Sequence, residues 1–286
     1  MEHQTQYNLR IAPTPNHQRY QTLDIQCEEE HQLAWYFMHA QPRQCCTPTL
    51  IHEIQHWFHE LKYSPKYEDI RYIVLASGVP EVFNLGGDLN LFTQLIRAND
   101  REGLQQYATD CIDTLMLNHS GADCDITTIS LVQGDALGGG MEYAISSHVL
   151  IAERSAKLGM PEILFNLFPG MGAFSLLSRK VGAKLAEKII LGGRLYSAEE
   201  LYELGVVDVL AEDGQGESAV YDYIHQEEKS RNGIRAFRAA SKCTNPVTYQ
   251  ELSDVTKIWV DAALRLRDKD LRMMERLVKR QSAKTA

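Results

Sequence analysis

Two glycine-bearing turns carry residues that could do chemistry together. The first turn contains Gly86 and Gly87, and the second contains Gly138, Gly139 and Gly140. Glycine lets the backbone approach a ligand closely and turn its N–H groups outward. The second turn also opens a predicted helix, whose unpaired N–H groups and positive dipole end face the same place. Two such N–H groups converging on one carbonyl oxygen would stabilise an enolate or a tetrahedral oxyanion.

Two glutamates follow these turns in the chain. Glu142 lies in the first turn of the predicted helix, and Glu162 follows Pro161. Paired carboxyls beside an oxyanion site suit removal of a proton next to a carbonyl and departure of a β-hydroxyl. Each feature alone also has a structural explanation, since glycine turns permit tight packing and a first-turn glutamate pairs with the helix dipole. Their combination in this order indicates catalysis.

Apolar patterning along the chain predicts an α/β fold that holds these turns. Continuous apolar runs at 70–76, 129–132 and 149–152 predict buried strands, and 206–210 predicts a shorter one. Residues 23–26 and 33–39 flank an acidic turn and predict a hairpin. Helices are predicted at 49–61, 89–97, 101–118, 138–147, 172–191, 198–204, 217–228, 231–241, 248–264 and 268–281.

The chain shows no linker or low-complexity tract that would divide it into independent domains. Residues 1–18 are polar and carry two prolines, which indicates an N-terminal arm. Residues 19–210 form the predicted α/β core, and 211–286 form a helical C-terminal region packed on that core.

Composition excludes several classes of function. Of 286 residues, 29 are Lys or Arg and 38 are Asp or Glu, so the formal net charge is −9. A nucleic-acid partner is not expected, because phosphate binding requires a basic surface. No apolar run approaches the length of a membrane span, and the first residues do not resemble a secretory signal. With six scattered cysteines that suggest no disulfide framework, the sequence predicts a cytoplasmic location.

The segment His52-Glu53-Ile54-Gln55-His56 matches the H-E-x-x-H pattern of zinc proteases. The longer metzincin pattern requires Gly at position 59 and His at position 62, where this chain has His59 and Lys62. The apolar stripe of the helix already explains the segment, so no metal is predicted. The glycine run at 138–140 lacks the Lys-Ser/Thr of a phosphate-binding loop, and no G-x-S-x-G elbow indicates a serine hydrolase.

The ordered set of turns and acids resembles the crotonase (enoyl-CoA hydratase/isomerase) superfamily from about residue 30 to residue 280. That resemblance implies a spiral of ββα units with a helical C-terminal extension. It also implies that the backbone N–H groups of Gly87 and Gly139 form the oxyanion hole, with Glu142 and Glu162 as the catalytic acids. Leu85 is bulkier than the small residue usual before the first glycine, which implies a reshaped acyl site.

Within the superfamily, the chain is similar to bacterial diffusible-signal-factor synthases in the segments 86–92, 133–144 and 259–281. This likeness implies dehydration of a 3-hydroxyacyl thioester on acyl-carrier protein, followed by thioester hydrolysis. The product would be a cis-2-unsaturated fatty acid used in quorum sensing. An ordinary enoyl-CoA hydratase/isomerase of fatty acid degradation is the alternative. A third reading, a regulatory protein that binds a sensor's receiver domain, is compatible with either.

The resemblance further implies that Glu162 acts at C2 and Glu142 at the 3-hydroxyl or water, although these roles could be exchanged. No cofactor is expected beyond the phosphopantetheine of the carrier, and a trimer-based homo-oligomer is implied. The acyl chain is expected to contact Leu85, Leu137, Gly138, Met141, Met160, Phe165, Phe168 and Met171. Two basic clusters are candidates for carrier docking: Arg179, Lys180, Lys184 and Lys188, and Arg231, Arg235, Arg238 and Lys242.

Overall fold

The computed structural model describes residues 20–284, with side chains described through residue 279. The arm predicted at residues 1–18 lies outside the described residues. Ten strands lie in the described part: β1 (Leu23–Glu28), β2 (Leu33–Met38), β3 (Tyr72–Ser77), β4 (Val82–Asn84), β5 (Thr127–Val132), β6 (Asp135–Leu137), β7 (Val149–Glu153), β8 (Lys157–Gly159), β9 (Leu195–Ser197) and β10 (Val209–Ala211).

Helices connect and cover these strands. Within residues 20–284 they are α1 (Pro48–Tyr63), α2 (Leu89–Arg97), α3 (Arg101–Ser120), α4 (Gly139–Ser146), α5 (Ala173–Val181), α6 (Ala183–Gly192), α7 (Ala198–Glu203), α8 (Gly216–Lys229), α9 (Arg231–Thr244), α10 (Tyr249–Ala263) and α11 (Asp268–Lys284). Two 3₁₀ helices lie at Pro65–Tyr67 and Pro161–Phe165. No helix of the described part is both long and apolar enough to cross a bilayer.

The larger sheet has the strand order β1-β2-β3-β5-β7-β10. Its first pair is the predicted antiparallel hairpin, and the other neighbours are parallel. Side chains alternate between its two faces, as strand geometry requires. In β2, Leu33 and Trp35 pack beneath α8, whereas Ala34, Tyr36 and Met38 face the main core with α1 and α3. The sheet is therefore covered on both sides, which explains its continuous apolar runs.

A second sheet has the order β4-β6-β8-β9, and sequence patterning did not predict it. Its strands have only three residues each, too few to show an alternating pattern. The same unit begins at β3, at β5 and at β7. Each unit has a long strand in the first sheet, then a short strand in the second sheet, then a helix. These repeated units confirm the predicted spiral of ββα units.

The small sheet positions the candidate site. Strands β4, β6 and β8 are parallel, so their carboxyl ends meet at one edge. The chain leaves β4 into Gly86 and Gly87, leaves β6 into Gly138 and Gly139, and leaves β8 towards Glu162. Residues far apart in sequence are thereby brought to one place.

Two predicted elements were wrong in detail. The helix expected over 172–191 is divided into α5 and α6 at Gly182, whose φ is +82°, a left-handed value that a continuous helix does not allow. The strand expected at 206–210 is displaced to β10, where it pairs with β7. Of the C-terminal helices, α8 packs on the larger sheet, α10 on α3 and α11 on α2.

Candidate active site

The first glycine turn is held against the second by backbone contacts. Gly86 has φ +92°, accepts a hydrogen bond from the Cys46 N–H at 2.8 Å and donates its own N–H to Asn84 Oδ1 at 2.8 Å. A Cβ placed on Gly86 would lie 2.6 Å from the Leu137 carbonyl oxygen and 3.0 Å from the Gly139 nitrogen. Only glycine fits this conformation and this close approach.

The second turn packs against the later glutamate. Gly138 has φ +53° and donates its N–H to the Gly159 carbonyl at 2.8 Å. A Cβ on Gly138 would collide with Glu162 Oε1, and one on Gly140 would collide with the Asn84 carbonyl. The glycines of this turn therefore bring the carboxyl and the first turn together.

The N–H groups of Gly87 and Gly139 lie side by side at this junction. A Cβ on Gly139 would be 3.3 Å from the Gly87 nitrogen. Within residues 20–284, neither N–H donates a hydrogen bond to a protein acceptor. Two adjacent donors without an acceptor can together bind one carbonyl oxygen and stabilise negative charge that develops on it.

Asp88 contributes to this turn through structure. It caps α2 by accepting hydrogen bonds from the N–H groups of Asn90 and Leu91, and it pairs with Arg43 at 3.0 Å. Capping fixes where α2 begins and hence the path of the chain at Gly87. The Asp-Leu part of the sequence motif is thereby explained by a helix start.

Glu142 lies in the first turn of α4 and is buried, with 2% of its surface exposed. Its Oε1 accepts hydrogen bonds from the N–H groups of Met171 and Ala173, both at 2.9 Å. Burial raises the pKa of Glu142 to about 7, although these backbone donors lower it. The carboxyl is thus held in one orientation and can gain or lose a proton near neutral pH.

Glu162 follows Pro161 in the 3₁₀ helix. Its Oε2 is buried and has no hydrogen-bond partner within the described part of the chain. Burial raises the pKa of Glu162 to about 8, and the negative charge of Glu142 adds to the rise. Because the negative charge of Glu142 favours the protonated form of Glu162, the two carboxyls lose their protons in separate steps. One carboxyl can therefore donate a proton while the other accepts one.

Both acids and both amides lie at the wall of a cavity of about 380 Å³. Five of the residues expected to contact an acyl chain line this cavity: Leu85, Leu137, Gly138, Phe165 and Met171. The structure does not place Met141, Met160 or Phe168 there. Met141 and Met160 are fully buried in the core, and Phe168 packs against the core from its edge. Successive residues of a helix or strand point in different directions, so closeness in sequence to the acids was a poor guide.

A large part of the apolar wall comes from helices that the sequence analysis did not assign to the site. Helix α1 supplies Leu50, Ile51 and Ile54; α3 supplies Tyr107, Cys111, Thr114 and Leu115; α10 supplies Trp259 and α11 supplies Leu277. The apolar stripes of these helices were visible in the sequence. A stripe that packs in a core and one that lines a cavity have the same spacing, so only their packing distinguishes them.

Helices α1 and α3 run side by side away from the amide pair. Near the site, the Tyr107 hydroxyl donates to the Cys46 carbonyl, and Cys46 forms a β-bridge with Gly87. Further along, the Gln55 side chain donates to Thr114 Oγ1 at 3.1 Å. A helix rises about 1.5 Å per residue, so the wall from position 107 to position 115 is on the order of 12 Å long.

The H-E-x-x-H segment has structural contacts. Glu53 accepts hydrogen bonds from the N–H groups of Gln21 and Thr22 at 2.7 and 2.8 Å, and His56 Nδ1 lies 2.9 Å from the Tyr20 hydroxyl. Together these contacts attach the chain before β1 to α1. In residues 20–284, no three His, Cys, Asp or Glu side chains are grouped so that they could hold a metal ion.

The two predicted docking clusters are largely neutralised by ion pairs within the chain. Three cations of each cluster are paired. The pairs are Arg179–Glu251, Lys180–Asp208, Lys184–Glu187, Arg231–Glu228, Arg235–Asp125 and Arg238–Glu227. These pairs reduce the positive charge of both clusters, and docking of a carrier at either cluster stays a prediction.

The fold is a spiral of ββα units, and its candidate site brings two backbone N–H donors and two carboxyls to one cavity. The enoyl-CoA hydratase/isomerase family model matches residues 37–282, and the chain belongs to this family. It is 34% identical over 146 residues to a peroxisomal fatty acid beta-oxidation multifunctional protein of Arabidopsis thaliana, which is 51% of this chain and 19% of that protein.

Two further similarities agree with this family. The chain is 36% identical over 144 residues to a probable enoyl-CoA hydratase of Mycobacterium leprae, covering 49% of this chain and 52% of that protein. The alignments thus span about a fifth to about half of the length of these two curated relatives. The human mitochondrial delta3-delta2-enoyl-CoA isomerase shares the fold, with a TM-score of 0.76, 16% identity and coverage of 93% of this chain and all (100%) of that chain.

Proposed function

We propose that the protein adds water to a 2-enoyl thioester and removes it from the corresponding 3-hydroxyacyl thioester. This proposal depends on one observation: two backbone N–H donors and two carboxyls lie at the wall of one apolar cavity. The donors suit a thioester oxygen, the carboxyls suit the two carbons next to it, and the cavity suits an acyl chain.

In the hydration direction, the thioester oxygen accepts hydrogen bonds from the N–H groups of Gly87 and Gly139. The Glu142 carboxylate removes a proton from water, whose oxygen bonds to C3 as the C2–C3 double bond becomes an enolate. The protonated Glu162 then gives its proton to C2. The direction of the pKa shift of Glu162 supports its role as the proton donor, since burial and the charge of Glu142 both favour its protonated form. Dehydration is the reverse of these steps.

The length of the cavity indicates a medium-length acyl chain. An extended chain advances about 1.2 Å per bond, as the dimensions of an extended backbone imply. The wall of on the order of 12 Å between α1 and α3 therefore accommodates about ten bonds. A volume of 380 Å³ agrees, because it holds on the order of a dozen water-sized groups.

The second candidate is synthesis of a cis-2-unsaturated fatty acid signal from a 3-hydroxyacyl carrier protein. The likeness of residues 86–92 and 133–144 to signal synthases supports it, as does a cavity sized for a medium chain. After dehydration, water activated by a carboxylate would attack the thioester carbon. The two amides would then bind the tetrahedral oxyanion before the C–S bond breaks.

One set of assays tests both candidates. Purified protein is given trans-2-decenoyl-CoA or 3-hydroxydecanoyl carrier protein, and products are separated by liquid chromatography with mass detection. A hydratase interconverts the enoyl and 3-hydroxyacyl thioesters, whereas a signal synthase releases free cis-2-decenoic acid.

Substitutions then test the assignment of the acids. Glu142→Gln and Glu162→Gln should each lower kcat by about a hundredfold to ten-thousandfold, as expected for loss of a general acid or base. Glu153→Gln is a matched control, because Glu153 is buried and hydrogen-bonded outside the cavity. Full activity in both cavity variants, or inactivity of the unmodified protein on every thioester, would refute the proposed function.

A further inference from the structure

Helix α11 presents a row of four cations on one face. Lys269, Arg272, Arg276 and Lys279 are separated by three, four and three residues, which places them along one side of a helix. All four side chains are exposed, and none forms an ion pair with another side chain of residues 20–279. We call this row the basic stripe.

The basic stripe is unusual for this protein. The chain has a net charge of −9, and most of the cations of the two clusters on α5, α6 and α9 are paired with nearby acids. On α11 itself, Glu275 pairs with Arg97 at 2.7 Å on the flank and does not neutralise the stripe. Like charges one turn apart destabilise a helix slightly, so an acidic binding partner would stabilise this face.

The opposite face of α11 closes the candidate active site. Leu271, Met274 and Val278 are buried in the core, and Leu277 lines the cavity. The helix also packs against the 3₁₀ helix that carries Glu162. Because a helix with its side chains is about 10–12 Å across, the stripe lies roughly that far from the cavity wall.

Exposed aliphatic side chains lie beside the same cavity. Ile163, Leu164, Leu191 and Leu195 have exposed fractions between 37% and 54%, and Leu164 and Leu195 also line the cavity. Ile163 and Leu164 lie against Gly193, where a Cβ would be 2.5 Å from Ile163 Cγ2 and 3.5 Å from Leu164 Cδ2. An apolar patch next to a row of charges is the usual composition of a transient protein interface.

We infer that the basic stripe and this aliphatic patch are the docking surface for an acidic carrier protein that presents the acyl thioester on a flexible arm. The inference rests on the proposed thioester chemistry and adds the surface at which the carrier of the substrate docks. The charges steer the acidic carrier to α11, the aliphatic patch holds it, and the arm enters the cavity beside Leu277.

The test compares one acyl group on three carriers: acyl-carrier protein, CoA and pantetheine, of which pantetheine has no charged groups. Arg272→Glu/Arg276→Glu should lower kcat/KM for the carrier-protein substrate at least about tenfold, with an effect that weakens as salt is raised. The same variant should retain kcat/KM on the pantetheine thioester. Lys184→Glu/Lys188→Glu, which changes the net charge equally on α6, is the matched control and should behave as the unmodified protein on all three.

Each other outcome overturns the inference. Unchanged activity on the carrier-protein substrate would show that the stripe is only a solvated face. Equal losses on all three substrates would assign it to folding or catalysis, and a loss confined to CoA would assign it to nucleotide phosphates. A loss in the α6 control alone would place docking on that helix. Inactivity of the unmodified protein on all three thioesters would instead refute the proposed function itself.

Discussion

Replacing Glu142 by glutamine should stabilise the protein at alkaline pH while lowering its activity. Burial raises the pKa of Glu142 from its ordinary value of 4.5 to about 7. Glutamine keeps an oxygen that can accept the hydrogen bonds from Met171 and Ala173, so the packing should be preserved. Since a tenfold change in an equilibrium is about 1.4 kcal/mol, the raised pKa corresponds to about 3 kcal/mol.

The sign follows from proton binding. Below pH 4.5 the carboxyl is protonated in both the folded and the unfolded chain, so it does not make the free energy of unfolding depend on pH. Between pH 4.5 and 7 the unfolded chain ionises while the folded state keeps its proton, so rising pH favours unfolding. Above pH 7 the unmodified protein has lost this stability, and Glu142→Gln has not. The variant should therefore be more stable than the unmodified protein by about 2–3 kcal/mol at pH 8 and nearly equal at pH 4.5.

Urea unfolding followed by circular dichroism at several pH values measures this difference. Glu227→Gln is the control, because Glu227 is equally buried, but its hydrogen bonds from Arg238, Thr127 and Tyr223 outweigh burial and lower its pKa. That substitution should destabilise the protein at pH 8, and its effect should decline only as the pH falls below 4.5. The reasoning is refuted if Glu142→Gln gives the same free-energy difference at every pH, or is the less stable protein at pH 8.

Three further predictions follow from the site. Gly138→Ala should lower kcat by about a hundredfold, since a Cβ there would displace the Glu162 carboxyl, whereas Gly233→Ala, with open space around it, should not; steady-state kinetics compares them. Hydration activity should fall below about pH 7, as Glu142 is protonated, and above about pH 8, as Glu162 ionises; a pH profile with a flat plateau from 5 to 10 would contradict this. Leu115→Trp should shift the preferred acyl chain to a shorter one by filling the far wall, which competition among thioesters of different length would reveal.

Glu142→Gln is predicted to raise stability and to lower activity, because burial of the Glu142 carboxyl affects both properties. A carboxyl kept from water has its pKa near neutrality, where it can act as an acid or a base. The free energy needed to bury it must come from packing elsewhere, here from the buried faces of the large sheet and its covering helices. Sites of this kind are expected to gain stability when their function is removed.

The residues with special backbone requirements could be recognised from sequence alone. Glycine at 86 and at 138 is required by left-handed backbone and by contacts that leave no room for a Cβ, so residue type by itself identified these turns. The strands of the large sheet were also predictable, because burial on both faces leaves a continuous apolar run. Features of this kind depend on the types of a few adjacent residues.

The short strands, the cavity wall and the pairing of surface cations depend on contacts between segments that are distant in the sequence. The short strands β4, β6 and β8 have no pattern of their own and exist because they pair with one another. The cavity wall from α1 and α3 has the same apolar spacing as ordinary core. Several cations of the clusters near Arg179 and Arg231 pair with acids that are remote in sequence, whereas the cations of the stripe on α11 do not form such pairs within residues 20–279.

Sequence therefore determined the identities of the chemical groups and the local turns that carry them, because those depend on side-chain type and on φ and ψ at single residues. Tertiary structure decided the distance between the two amides, the pKa of each acid, the length of the cavity and which cations stay unpaired. Those quantities depend on burial and on contacts between segments far apart in the chain, and no local pattern encodes them.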